Sequence, residues 1–125
     1  MRSRTPADSQ DGGATPVKLI TVVLRPALFE VLKDALTLFG VHGMTVGQTY
    51  LATKTAGRVE MYRGQRFASD LEPSLRVDLL TSDDEAPDLV HVIDRVVASS
   101  SGHYWITPVD WVVRVRTGEY GLDAV

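Results

Sequence analysis

The chain predicts an α+β sandwich in which two amphipathic helices cover one face of a four-stranded antiparallel sheet. Three observations lead there: β-branched runs of strand length, two apolar stripes at helical spacing, and their alternation as β-α-β-loop-β-α-β. That order is the split βαβ, or ferredoxin-like, arrangement.

Residues 1–16 (MRSRTPADSQDGGATP) are polar, rich in Gly, Pro and Ser and without periodicity. They read as a disordered tail ahead of one domain spanning 17–125. Val17 to Leu24 is a β-branched run suited to a strand buried on both faces, stopped at Arg25-Pro26. Pro26 suits the first turn of a helix, and Leu28, Val31, Leu32, Ala35, Leu36 and Phe39 follow at helical spacing opposite Glu30, Lys33 and Asp34. Gly40 and Gly43 end that helix and turn the chain. Met44 to about Lys54 reads as a second strand through Thr45, Val46, Thr49, Tyr50 and Leu51.

Residues 53–72 carry Lys54, Arg58, Arg63 and Arg66 with few core candidates, and a loop of that length in a compact domain is usually functional. Leu75 to Leu80 alternates Leu75, Val77 and Leu79 against Arg76 and Asp78 as a third strand. Thr81-Ser82-Asp83-Asp84 supplies N-caps, and Pro87 falls in the first turn of a second helix if Asp84 is its cap. Leu89, Val92, Ile93, Val96 and Val97 make that helix's apolar stripe, and Ser99-Ser100-Ser101-Gly102 breaks it.

The last strand segment follows Tyr104-Trp105-Ile106 and holds the most suggestive stretch, Trp111 to Glu119 (WVVRVRTGE). Side chains two apart on a strand share a face, so Arg114 and Arg116 are expected to project together while Val113 and Val115 turn to the core. Two guanidiniums about 7 Å apart on a rigid strand clamp a phosphate chain or a dicarboxylate. Paired with Asp or Glu at a sheet edge, the same arginines are structural. With both helices on one side, the bare sheet face of so apolar a chain is expected to be buried against other subunits.

A length of 125 residues and 44% hydrophobic composition suffice for one domain with a core. A net charge of −3 argues against nucleic acid as a partner, which requires a basic face. The absence of cysteine excludes disulfides, thiolate metal sites and a cysteine nucleophile, and the absence of asparagine removes a common oxyanion residue. No apolar run approaches the roughly 20 residues of a membrane span and no apolar signal core opens the chain, so a cytoplasmic location is expected. Neither a Ser-His-Asp spacing nor a metal-ligand cluster occurs, so no catalytic or metal residue is assigned, and His42 and His91 read as turn and surface residues.

Four segments, in order, resemble the PII signal-transduction family: Lys18 to Val23 with Arg25-Pro26, Gly43 to Val46, Tyr62-Arg63-Gly64, and Val113 to Glu119 with Asp123-Ala124-Val125 at the close. The resemblance implies a homotrimer of ferredoxin-like subunits, with an adenine nucleotide (ATP, ADP or AMP, magnesium accompanying ATP) in each cleft between neighbours. It implies that Arg114 and Arg116 contact phosphate and that Gly43, Met44 and Thr45 line the adenine and ribose side. Val23, Asp78 and Leu80 match cleft-wall positions, and Gly102 and His103 match the phosphate loop. Lys54 either reaches the phosphates or is a solvated loop lysine. The loop 53–72 would dock onto a membrane transporter or metabolic enzyme, with Arg58, Tyr62, Arg63, Arg66 and Phe67 as candidate contacts.

Departures from the family pattern redirect the expected message. Phe67 stands where many members have a modifiable tyrosine, so nucleotidylylation at that hydroxyl is excluded. Thr55 and Ser74 replace the glutamine and lysine that hold 2-oxoglutarate, a loss of about 1.5–3 kcal/mol for a charged hydrogen bond. A different second effector, bicarbonate sooner than 2-oxoglutarate, is expected. His103 replaces a lysine, which weakens the phosphate clamp whenever the imidazole is neutral. Trp105 and Trp111 are expected in the core or at a subunit interface. Two other classes share the fold: a trimeric CutA-like metal-tolerance or scaffold protein, and a weak ATP-hydrolysing enzyme. An RNA-recognition domain shares the element order but needs aromatics on a basic sheet face.

Overall fold

In a computed structural model of the chain, residues 16–52, 61–62, 65–66, 71–98, 100 and 102–125 are described. The tail at 1–15 and the loop positions Lys54, Thr55, Arg58, Arg63 and Phe67 lie outside them, and Tyr62 and Arg66 are described in backbone alone. The first strand, β1 (Val17–Leu24), has the expected bounds. A 3-10 turn, Pro26–Leu28, leads into α1 (Phe29–Phe39), with Pro26 at the start where a missing N–H costs nothing. Gly40 closes α1 at φ +114°, its N–H reaching the carbonyls of Leu36 and Thr37. A side chain strains in that conformation, which is why glycine stands there.

Strand β2 (Thr45–Ala52) is followed by two short strands, β3 (Met61–Tyr62) and β4 (Gln65–Arg66), and then by β5 (Leu71–Ser82). The chain continues through α2 (Ala86–Val97) to β6 (His103–Val109). The main sheet runs β2-β5-β1-β6, with β5 antiparallel to both neighbours and β6 antiparallel to β1. This is the ferredoxin-like topology that the element order predicts.

The core is one layer between sheet and helices. Ile20, Val22 and Leu24 of β1 and Val77 and Leu79 of β5 meet Leu32 and Leu36 of α1 and Leu89, Ile93 and Val97 of α2. The period-2 and period-3.6 apolar patterns converge on this layer. Val31, assigned to the α1 stripe, is instead 55% exposed, because the stripe that α1 buries is centred on Leu32 and Leu36.

Several boundaries differ from expectation. β5 begins four residues early and ends two late, so Leu71 and Glu72 belong to a strand and not to the loop. The residues added at its start, 71–74, pair with β2 alone, beyond the end of β1, while Thr81 and Ser82 pair with Lys18 and Val17 of β1. Pro73 sits in that extension, where the side of β5 away from β2 has no strand to receive an N–H. β2 is described from Thr45 to Ala52, and the expected end near Lys54 lies outside the described residues. Helix α2 is not capped by Asp84: its N-cap is Glu85, whose N–H donates to the Ser82 hydroxyl at 3.1 Å.

The largest correction concerns Trp111 to Glu119, which is not a strand. The ladder between β1 and β6 ends at Val17 opposite Val109, so among the described residues later ones have no strand edge to join. They fold back on themselves instead. Arg114 N–H donates to the Glu119 carbonyl at 2.8 Å, Gly118 N–H donates to the Arg114 carbonyl at 2.8 Å, and Val113 bridges Tyr120. Gly118 makes the reversal at φ +76°. Val113 and Val115 therefore do not face the core, and Val115, at the tip, is 93% exposed.

Candidate functional site

Helices α1 and α2 pack on one side of the sheet, and five site residues named from the sequence, Val23, Thr45, Asp78, Leu80 and His103, stand on the other. Ile20, Val22, Val77 and Leu79 point to the helices, so Thr21, Val23, Asp78 and Leu80 point away from them. Register then builds two rows on the open face. Thr45, Asp78, Thr21 and Trp105 stand side by side across β2, β5, β1 and β6. Gly47, Arg76, Val23 and His103 form the next row. Leu80 stands opposite Leu19 in the row on the other side of Asp78.

The centre of this face is a hydrogen-bonded chain. Thr21 Oγ1 donates to Asp78 Oδ1 at 2.6 Å, and Arg76 Nε donates to Asp78 Oδ2 at 3.1 Å. The guanidinium carbon of Arg76 lies 5.8 Å from the centroid of the Trp105 ring. Arg76 starts on β5 and Trp105 on β6, so the arginine reaches over β1 to make that contact. Thr21 is wholly buried although it lies on the side away from the helices. Trp105 is on this face and 43% exposed, not in the core.

Gly102 leads into β6 against the backbone of β1. A Cβ on Gly102 would stand 2.9 Å from the Val23 carbonyl oxygen and 3.2 Å from Ser100 Oγ. The Ser100 hydroxyl donates to the Val97 carbonyl at 2.9 Å and accepts from Gly102 N–H at 3.2 Å. This turn sets His103 beside Val23. Gly43 and Met44 lie in the link from α1 to β2, with Met44 half-buried against the core and Gly43 open to solvent.

Arg114 and Arg116 are not brought to this cluster. They lie past the other end of β6, separated from His103 by the whole strand, about 20 Å at the usual rise per residue. Arg114 donates through Nη2 to the Ala124 carbonyl at 3.3 Å and stands 4.0 Å from the Glu119 carboxylate, while Arg116 is exposed with no charged partner among the described residues. The hairpin is pinned by Trp111 stacked on Tyr120, with centroids 5.2 Å apart. Between it and the start of β1 lies a cavity of about 410 Å³ lined by Pro16, Val17, Val109, Trp111, Tyr120 and Leu122 among others. The arginine clamp is thus a turn-borne pair, with Arg114 partly committed to holding the C-terminus.

Residues 17–119 match the family model described as nitrogen regulatory protein P-II. The chain belongs to the P-II family. Nitrogen regulatory protein P-II 2 of Methanothermobacter thermautotrophicus is 35% identical over 112 residues, covering 87% of this chain and 97% of the relative. Nitrogen regulatory protein P-II of Rhizobium meliloti is 30% identical over the same length, covering 87% and 100%. Among solved structures, the B. subtilis GlnK–ATP complex aligns with TM-score 0.72 at 21% identity, covering 90% of this chain and 98% of that one. Arabidopsis thaliana PII bound to citrate aligns with TM-score 0.69 at 19% identity, covering 94% and 99%. These two likenesses establish the fold.

P-II proteins are regulators, and this member carries its own pattern on the open face. Ser74 is buried and donates to the Glu72 carbonyl at 3.3 Å. Thr21, Arg76 and Trp105 are not singled out by the sequence as site residues. Their spacing from Asp78 and His103 is the available signal, since Arg76 and Asp78, and His103 and Trp105, are each two apart on a strand. Among the described residues no helix is long and apolar enough to cross a membrane.

Proposed function

We propose that this P-II family member is a non-catalytic sensor that binds an adenine nucleotide between copies of itself and signals through residues 53–72. In this reading Gly102 and His103, with Val23, Asp78, Leu80, Gly43, Met44 and Thr45, form one wall of the cleft. Arg114 and Arg116 of the neighbouring copy form the other, in a homotrimer. Lys54 adds a cation from the loop.

The observation that carries this reading is the separation of the two groups on one chain. His103 begins β6 and the arginines follow its end. Residues expected to grip the same phosphate chain are joined when the hairpin of one copy meets the open sheet face of the next. The uncovered face itself supports association, with Trp105, Leu19, Val23 and Leu80 left partly accessible.

Signalling requires that nucleotide bind two states of the loop unequally, not merely tightly. The partner is a transporter or metabolic enzyme met by Arg58, Tyr62, Arg63, Arg66 and Phe67. Phe67 removes tyrosine modification from the mechanism, and the Thr55 and Ser74 positions direct the second effector away from 2-oxoglutarate and toward bicarbonate.

Sedimentation with ATP, ADP and AMP, followed by thermal unfolding, tests the reading. A particle of three times 13.7 kDa whose midpoint rises with nucleotide is expected. Stabilisation of about 2.7 kcal/mol at a hundredfold excess over Kd is the scale to look for. A trimer that no adenine nucleotide stabilises overturns nucleotide sensing and leaves the scaffold role.

A further inference from the structure

The turn into β6 fixes the backbone of a titratable side chain. Gly102 N–H donates to Ser100 Oγ at 3.2 Å, and a Cβ at Gly102 would stand 2.9 Å from the Val23 carbonyl oxygen, so the turn lies tight against β1. His103 follows at once, opposite Val23 on the helix-free side of the sheet. It is exposed on the single chain, and among the described residues its imidazole has no hydrogen-bond or ion-pair partner.

The charged groups on its side of the sheet are few. Arg76 and Asp78 of β5 share that face, and each is occupied. Arg76 Nε donates to Asp78 Oδ2 at 3.1 Å, and Thr21 Oγ1 donates to Asp78 Oδ1 at 2.6 Å. Val23 of β1 and Gly47 of β2, in the same row as His103, carry no charge. Arg25 follows the end of β1, and Trp105 is the next residue of β6 on this side. Helix α2 lies behind the sheet, where its Asp94 takes the phenol of Tyr104. In the assembly proposed above, the neighbouring copy adds Arg114 and Arg116, with Glu119 4.0 Å from Arg114. Before a ligand arrives, the surroundings of His103 therefore hold cations and carboxylates already shared with arginine, which disfavour an imidazolium. A phosphate chain reverses that balance, because it brings an excess of negative charge.

We infer, resting on the nucleotide reading above, that His103 couples nucleotide binding to proton uptake, so that the cleft takes a phosphate chain together with a proton. Imidazole is the side chain whose ordinary titration falls within the physiological range, and its charged form makes the stronger hydrogen bond to phosphate. A group that holds its proton more tightly in the complex than in the free protein binds its ligand more tightly as pH falls. The gain is about tenfold for each unit by which its pKa rises. It is complete below the free value and lost above the value in the complex. Nucleotide level and pH are then read together at one residue.

Calorimetric titration with ADP and ATP at about pH 6 and about pH 8, in buffers of different ionisation enthalpy, measures affinity and protons taken up. The second ionisation of a phosphate, near pH 6, falls in the same range, so His103→Lys and His103→Gln are titrated beside the parent. The contribution of the ligand is common to all three, and the difference belongs to the imidazole. Relative to His103→Lys, the parent should bind at least one nucleotide about tenfold more tightly at the lower pH than at the higher, with proton uptake that both variants lack. Nuclear magnetic resonance of the imidazoles reads the same event in the unaltered protein, whether or not the variants fold well. The chain has three histidines, and the one opposite Val23 should titrate at higher pH once nucleotide is bound. Equal pH dependence and proton uptake in parent and variants, or a His103 titration that nucleotide does not move, overturns proton coupling and leaves nucleotide sensing in place. No binding of either nucleotide at either pH overturns both.

Discussion

The Thr21 hydroxyl donates to the Asp78 carboxylate at 2.6 Å across the middle of the one sheet face that no helix covers. Thr21 is wholly buried there, and the carboxylate also receives Arg76. A threonine in a β-branched run looks like filler, yet it holds the acid that holds the arginine. Thr21→Val keeps the shape and the β-branching while removing the donor. It should cost about 1–2 kcal/mol in urea unfolding, whereas Thr21→Ser should recover most of that. A valine variant as stable as the parent shows that the bond contributes nothing.

Gly102 and Gly47 should respond oppositely to alanine. A Cβ at Gly102 meets the Val23 carbonyl oxygen at 2.9 Å, a backbone atom that cannot swing aside, with Ser100 Oγ at 3.2 Å and Val97 Cβ at 3.6 Å. Gly47 lies in the sheet with nothing within 4 Å of a built Cβ and without a positive φ. Gly102→Ala should destabilise by about 1–3 kcal/mol, as overpacking does, and displace His103. Gly47→Ala should be neutral or mildly stabilising by chemical denaturation, because the unfolded chain loses freedom.

The two hairpin arginines should separate in a comparison of binding with stability. Arg116 has no protein partner among the described residues, while Arg114 holds the Ala124 carbonyl at 3.3 Å. Arg116→Gln should weaken nucleotide binding by about tenfold or more with an unchanged melting midpoint. Arg114→Gln should lower both. Calorimetric titration beside thermal melts distinguishes them, and unaltered nucleotide affinity in both variants removes the arginines from the site.

Tyr104 supplies the pH dependence. Its phenol donates to Asp94 Oδ1 at 2.8 Å, and that bond, followed by desolvation and the nearby carboxylate charge, raises its pKa above the ordinary phenol value. A raised pKa means that the folded state holds the proton more tightly than the unfolded chain. The contribution to stability is therefore full below the unfolded value near 10 and disappears as pH climbs through the folded value. Spectrophotometric titration should show Tyr104 ionising late, and Asp94→Ala should bring it back toward the other tyrosines. An unmoved titration curve in that variant rejects the assignment.

Legibility in the sequence follows the range of the interactions. Val17–Leu24, the α2 stripe and the element order are readable because burial on one side imposes periods of 2 and 3.6 on neighbouring residues. The family is readable because short motifs recur in order. WVVRVRTGE reads falsely as a strand because alternation is a local signal, and a strand also needs an edge to pair with. The β1 edge runs out at Val17, which nothing within residues 111–119 announces. Arg76 and Trp105 stay hidden for a related reason: one lies in β5 and the other in β6, and only register sets them near each other.

By itself the sequence determined the two helices, the first three strands of the main sheet, the order of the elements and membership in a regulatory family, because each follows from local periodicity or from ordered motifs. The tertiary structure decided where strands end and which distant side chains meet. It turned a supposed strand-borne clamp into a hairpin tip with one tethered arginine, and it joined Thr21, Asp78, Arg76 and Trp105 into one device. Those outcomes depend on strand pairing between residues more than 50 positions apart, such as Thr21 and Asp78, and on the geometry of a shared sheet face.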